Sequence, residues 1–108
     1  MANILSYLEK VKDRFSDPAI RESFKGYNRN FLFEFTDSGE SYVLRIANGE
    51  SATLEKGTLS TADLTITTTT DVVAAIMEKK LNAITAYSTH KFRSRGTMDD
   101  LLKLQKLL

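Results

Sequence analysis

The chain has 108 residues, no cysteine and one histidine, with 15 Lys and Arg against 14 Asp and Glu for a formal net charge of +1. That length makes one domain, residues 1–108, with one sizeable core. The lack of cysteine excludes disulfides, thiolate nucleophiles and cysteine-ligated metal centres, and near-neutrality argues against a nucleic-acid partner.

A cytoplasmic home is expected, because small secreted domains usually rely on disulfides. Met1-Ala2-Asn3-Ile4 has none of the character of a secretory leader. The longest apolar run, Val72 to Met77, is far too short to span a membrane.

In chain order, Ile4, Leu5, Leu8, Val11 and Phe15 put an apolar stripe on one helical face. Asp17-Pro18 reads as a cap followed by proline at the first helical position. It opens a short helix that buries Ile20 and Phe24 and stops near Gly26. Phe31, Phe33 and Phe35 then alternate along a strand, as do Tyr42, Leu44 and Ile46 along the next. The turn between them is Asp37-Ser38-Gly39-Glu40. Asn48-Gly49 is the strongest hairpin signal, since both residues accept positive φ. A weaker third strand, Ser51 to Glu55, completes an antiparallel meander with one greasy face.

The second half reads as a strand over Ala62–Thr68, a helix over Thr70–Lys80, a short helix over Asn82–His90, a basic strand over Lys91–Gly96 and a closing helix over Met98–Leu108. Thr70 before Asp71 marks one helix start. Asn82 marks the next, and Thr97-Met98-Asp99-Asp100 resembles a capping box. The closing helix carries Met98, Leu101, Leu102, Leu104, Leu107 and Leu108, more apolar surface than one face holds, so it needs a partner surface.

Chemistry is sparse. His90 stands between Thr89 and Lys91 with no acid nearby in sequence to orient it. Asp99-Asp100 is explained by the macrodipole of a helix start. No phosphate-binding glycine loop and no nucleophile elbow is present. No enzymatic activity, cofactor or metal is expected. Lys91, Arg93 and Arg95 share one strand face, which suits either a solvated edge or transient contact with an anionic membrane surface.

Four segments in order then resemble one family. They are Ala62-Asp63-Leu64-Thr65-Ile66-Thr67, Lys80-Leu81-Asn82 with Ala86, Lys91-Phe92-Arg93-Ser94-Arg95-Gly96, and Lys103-Leu104. With Phe35-Thr36-Asp37 and Leu44 to Gly49, they resemble the sterol carrier protein-2-like, or sterol-binding-domain, family over residues 31–108. The family's Asn-Pro is Asn82-Ala83 here. Its glycine before the basic strand is His90, and Ser94 stands at an apolar position of that strand. The ending Lys106-Leu107-Leu108 is not the peroxisomal Ser-Lys-Leu of some relatives.

The resemblance implies an α+β fold, a twisted five-stranded and largely antiparallel sheet covered by about five helices. It also implies a non-enzymatic carrier that holds a fatty acid, acyl-CoA or sterol-like lipid in an apolar tunnel between the layers. The residues that suit such a lining are Phe33, Leu44, Ile66, Ile76, Met77, Leu81, Phe92, Leu101, Leu104 and Leu108. The same residues equally suit a filled core. The alternative function is an interaction module, a homodimer for instance, formed through the apolar closing helix with any cavity closed.

Overall fold

The computed structural model describes residues 4–108. Met1 to Asn3, on which the leader reading rests, lie outside the described residues.

Period-two alternation lays down the sheet. Strands β1 (Arg29–Phe35), β2 (Ser41–Ala47) and β3 (Ser51–Lys56) form the antiparallel meander. Strand β4 (Leu64–Thr68) joins the other side of β1 in parallel, and β5 (Arg93–Arg95) closes that edge antiparallel to β4. The order is β3-β2-β1-β4-β5, so the sheet is mixed but mostly antiparallel. Because β3 and β4 run the same way, segment 57–63 must traverse the sheet past β2 and β1 to join them. Phe31, Phe33, Leu44, Ile46, Leu64 and Ile66 belong to the main core, all at most 4 % exposed. Leu32 and Val43 face each other on the opposite side of the sheet and are buried there as well.

The helices are α1 (Ile4–Asp13), which runs into a single 3-10 turn (Arg14–Ser16), then α2 (Pro18–Ser23), α3 (Thr70–Met77), α4 (Ala83–Ser88) and α5 (Met98–Leu107). Ile4, Leu8 and Val11 bury the stripe of α1. Asp17 caps α2 by accepting the Ala19 N–H at 2.9 Å. At the β2–β3 turn, Asn48 and Gly49 have φ of 55° and 68°. Glycine is required at 49 twice over, since a Cβ there would stand 1.8 Å from the Phe24 carbonyl oxygen. That close approach seats the hairpin tip against the end of α2, with Gly26 N–H donating to Asn48 O and Gly49 N–H to Tyr27 O.

Several elements are shorter than the sequence suggests, for identifiable reasons. Strand β4 starts at Leu64, because Asp63 is spent as a clamp: its carboxylate takes the Asn30 N–H at 2.8 Å and its own N–H reaches Asn30 O. The cap of α3 is Thr69, not Thr70. The Thr70 N–H and hydroxyl are taken instead by Asp37 in the β1–β2 turn. Helix α3 ends at Met77, where Lys79 swings to φ 65° and the N–H groups of Lys80 and Leu81 both fold back to Ala75 O. His90 takes φ 60°, the left-handed conformation that a glycine would supply at that position. The basic strand keeps only Arg93–Arg95, while Lys91 is drawn off by two bonds, its N–H to Ala86 O and its carbonyl accepting from Thr68 Oγ1.

Candidate ligand cleft between the sheet and the last three helices

The face of β1 and β4 that carries Phe33, Ile66 and Thr68 is not covered by α1. It is roofed by α3, α4 and α5, and a cleft remains between the layers. Val72, Val73 and Ile76 wall it from α3, and Leu101, Leu104, Gln105 and Leu108 close it from α5 and its end. Ala83, Ile84 and Tyr87 of α4, with Phe92, form the remaining side. Ile84 and Tyr87 are 45 % and 37 % exposed, so the cleft meets solvent at α4. The Tyr87 and Phe92 rings lie 5.8 Å apart, centroid to centroid.

The cleft volume is about 30 Å³. That accepts a water molecule or two, whereas pockets that engulf organic ligands run to about 300–1,000 Å³. In this state the layers are therefore nearly in contact. Only two lining residues are polar. The Thr68 hydroxyl is committed to Lys91 O at 3.1 Å, and Gln105 sits half-buried near the end of α5.

The roof helix α5 is fixed from its far side. Thr97 caps it by accepting the Asp100 N–H at 3.2 Å. Asp100 is buried, and its carboxylate accepts the Tyr27 hydroxyl and lies 3.4 Å from Arg29 Nε. It therefore does not close the reciprocal capping box that the sequence suggests; a pairing with β1 replaces it. Burial first, and the bond to Asp100 second, raise the Tyr27 phenol well above the ordinary tyrosine range. Lys103 adds a bond to Ser23 O at 2.8 Å, its ammonium lying 5.0 Å from the centre of the Phe24 ring.

Seven of the ten residues chosen from the sequence meet in the cleft: Phe33, Ile66, Ile76, Phe92, Leu101, Leu104 and Leu108. Leu44 is sealed in the core at 1 % exposure, and Met77 packs against that core from α3. Leu81, released from the helix by the turn at Lys79, lines an adjoining hollow of about 140 Å³ that shares Ile76, Ala83, Gln105 and Leu108 with the cleft. Sequence reasoning missed Thr68, Val72, Val73, Ala83, Ile84, Tyr87 and Gln105. The spacing of Ile84 and Tyr87 on α4, and of Leu101, Leu104, Gln105 and Leu108 on α5, was the available signal.

Arg93 and Arg95 pair with Thr67 and Thr65, on the face of the sheet opposite to Ile66 and the cleft. His90 is exposed. Among the described residues no cluster of His, Asp or Glu stands ready to hold a metal ion. No helix among them is long and apolar enough to cross a membrane. On α5, Leu101, Leu104 and Leu107 are spent on the chain's own core, and Met98 and Leu102 stay exposed at 52 % and 43 %.

A five-stranded sheet with a helical roof and an apolar seam between them defines the class: a small α+β domain built around an internal greasy cleft. The chain belongs to the SCP-2 sterol transfer family, whose model matches residues 8–108. No curated protein matches the sequence. The structure of sterol carrier protein 2 like 2 from Aedes aegypti superposes with a TM-score of 0.76 and 20 % identity, covering 97 % of this chain and 95 % of that one. Sterol carrier protein-2 from the same mosquito, solved in complex with the C16 fatty acid palmitate, gives 0.74 and 21 %, covering 98 % and 94 %. The sec-alkylsulfatase Pisa1 from Pseudomonas sp. matches at 0.71 and 24 % over 82 % of this chain, which spans only 14 % of that protein's length. At these identities the likeness establishes the fold.

Proposed function

We propose that this protein is a non-enzymatic carrier for a hydrophobic ligand with an alkyl chain or a sterol-like body, a fatty acid or acyl-CoA foremost, taken up between the sheet and α3–α5. The observation that carries the reading is the lining: twelve of the fourteen side chains around the cleft are apolar, yet two of them, Ile84 and Tyr87, stand exposed at its edge. A core evolved only for packing has little reason to leave its seam open to water.

Uptake requires the seam to widen. Helix α4 is the element suited to move: it has six residues, and the left-handed residues Lys79 and His90 bracket it. Each methylene withdrawn from water contributes about 0.8 kcal/mol, so a dozen of them supply on the order of 10 kcal/mol to offset the separation of the layers. With so little polar lining, selectivity along the tail is loose.

The test is titration of delipidated protein with a fluorescent fatty acid. Saturable uptake that is lost in Ile76→Trp, which fills the seam, supports the reading. No saturable uptake by the wild type sinks it. Contact with an anionic membrane through Arg93 and Arg95 would turn the cleft away from the bilayer, so the carrier reading does not depend on that strand. The interaction-module reading retains only Met98 and Leu102 as free apolar surface on α5.

A further inference from the structure

We infer that Thr68 is a positioning residue that latches the cleft: its hydroxyl holds the α4 segment shut over the empty seam and so sets how fast a ligand enters. The inference rests on the carrier reading and adds what controls the widening that uptake requires.

Threonine is the odd residue on its face. Alternation along β4 turns Leu64, Ile66 and Thr68 to the same side, and all three are buried. Of the side chains that the sheet strands give to the cleft, Phe33, Ile66 and Thr68, only the last carries a polar atom. A hydroxyl withdrawn from water is costly unless it is bonded. Here it donates to Lys91 O at 3.1 Å, and Lys91 lies between α4 and β5, outside the sheet.

Lys91 passes the tie on. Its own N–H donates to Ala86 O at 2.9 Å, in the middle of α4. Two bonds in series therefore run from the end of β4 into that helix by way of the Lys91 backbone. Ala86 is wholly buried at the end of the relay, whereas Ile84 and Tyr87 beside it stand half in water.

The rest of the segment is polar only toward itself. Leu81 is pinned before it by a bond to Ala75 O, and Arg93 after it by pairing with Thr67. Between those anchors, the other hydrogen bonds of residues 82–91 are made within the segment. Among the described residues, the Thr68 hydroxyl is thus its single hydrogen bond to the remainder of the fold. His90, in the left-handed conformation beside Lys91, makes the bend about which α4 turns once that bond is released.

When α4 lifts, the bond breaks and both partners turn to water. The latch therefore weighs on the empty, closed protein, and a ligand that needs the open form meets only the unlatched fraction. A helix of six residues does not persist away from its packing surface, so lifting also exposes its amides.

Those two consequences make the test. Thr68→Val keeps the shape and deletes the donor; Thr68→Ser keeps the donor. Stopped-flow mixing of the delipidated full chain with pyrene-labelled dodecanoate reads association, and chasing with unlabelled dodecanoate reads dissociation. Thr68→Val is expected to speed association about three- to tenfold, the range for loss of one hydrogen bond, and to leave dissociation unchanged. Thr68→Ser should stay near the wild type in both. In ligand-free protein, amides of the 82–91 segment should exchange faster by a similar factor in Thr68→Val, and not in Thr68→Ser. A side chain that merely makes the lining greasier would slow dissociation with association unmoved, and that result overturns the latch. So does unaltered exchange in Thr68→Val, or equal acceleration in both variants; either leaves the carrier reading standing. If exchange responds as expected but neither wild type nor variant takes up the probe, the carrier reading falls, and with it the latch's part in uptake.

Discussion

The gap between sheet and helices is filled in two different ways along its length. Under α1 and α2 it is closed by rings: Phe15, Phe24, Tyr27 and Phe31 follow one another edge-to-face at 5.3, 5.4 and 6.2 Å between centroids. Leu8 and Val11 complete that half at 1 % and 0 % exposure. Under α3–α5 the sheet offers Phe33 and Ile66 to mostly aliphatic side chains on helices of eight, six and ten residues, with the Tyr87 and Phe92 rings at one side, and a seam is left. Large flat rings in fixed mutual geometry fix the spacing of layers. Aliphatic side chains on short helices, interrupted at left-handed residues, fill space without fixing it. One half of the molecule is packed as a frame, and the other keeps a seam.

The sharpest way to break this contrast is to cut into the frame. Phe24→Ala should destabilise the protein by about 3–5 kcal/mol, because the ring is buried between two others and the void cannot collapse; equilibrium denaturation measures it. A loss below about 1 kcal/mol would mean that the ring half is no firmer than the other.

Next comes the join between the halves. Asp100→Ala strands the Tyr27 hydroxyl and Arg29 at the root of α5, and should cost about 1–3 kcal/mol. The same join has a pH signature. The Tyr27 phenol is held above its ordinary range, while an unfolded tyrosine ionises near about 10. Folding therefore favours the protonated phenol: the contribution is complete below about pH 10 and is lost as the pH climbs past it. Tyr7 and Tyr42 are also raised, so Tyr27→Phe should flatten the alkaline fall in melting temperature without abolishing it. An unchanged alkaline profile would remove Tyr27 from the account.

A smaller loss, about 1 kcal/mol, is expected of Thr69→Ala, which removes the cap of α3. Smallest in stability is Ile84→Asp at the edge of the seam, within about 0.5 kcal/mol because the side chain is already half in water. Its effect should appear in uptake of fluorescent fatty acid, which a charge at the entrance opposes. Normal uptake by that variant would move the entrance away from α4.

The parts of this design that obey local periodicity could be read from the sequence. The strand alternations, the Asn48-Gly49 turn and the caps at Asp17, Asn82 and Thr97 are decided within a few residues of themselves. What escaped is decided at a distance. Asp100 looks like a helix-start acid until Tyr27, 73 positions away, takes its carboxylate. Thr70 loses the cap to Thr69 because Asp37, 33 positions away, claims it. The end of α3 at Met77 carries no glycine or proline to announce it; a lysine bends there because two amides return to Ala75. Seven cleft residues were recoverable because alternation says which side chains share a face. The width of the gap between two faces is a matter of packing, on which alternation is silent.

The parallel pairing of β1 with β4 has a consequence for how the chain is made. Residues 31–35 must find residues 64–68 after the whole β2–β3 excursion has been completed. During synthesis the meander emerges first, with one flank of β1 bare. Until the later strand arrives, that flank is an open template for neighbouring nascent chains. Rapid arrival of β4 thus protects the newborn protein from clumping.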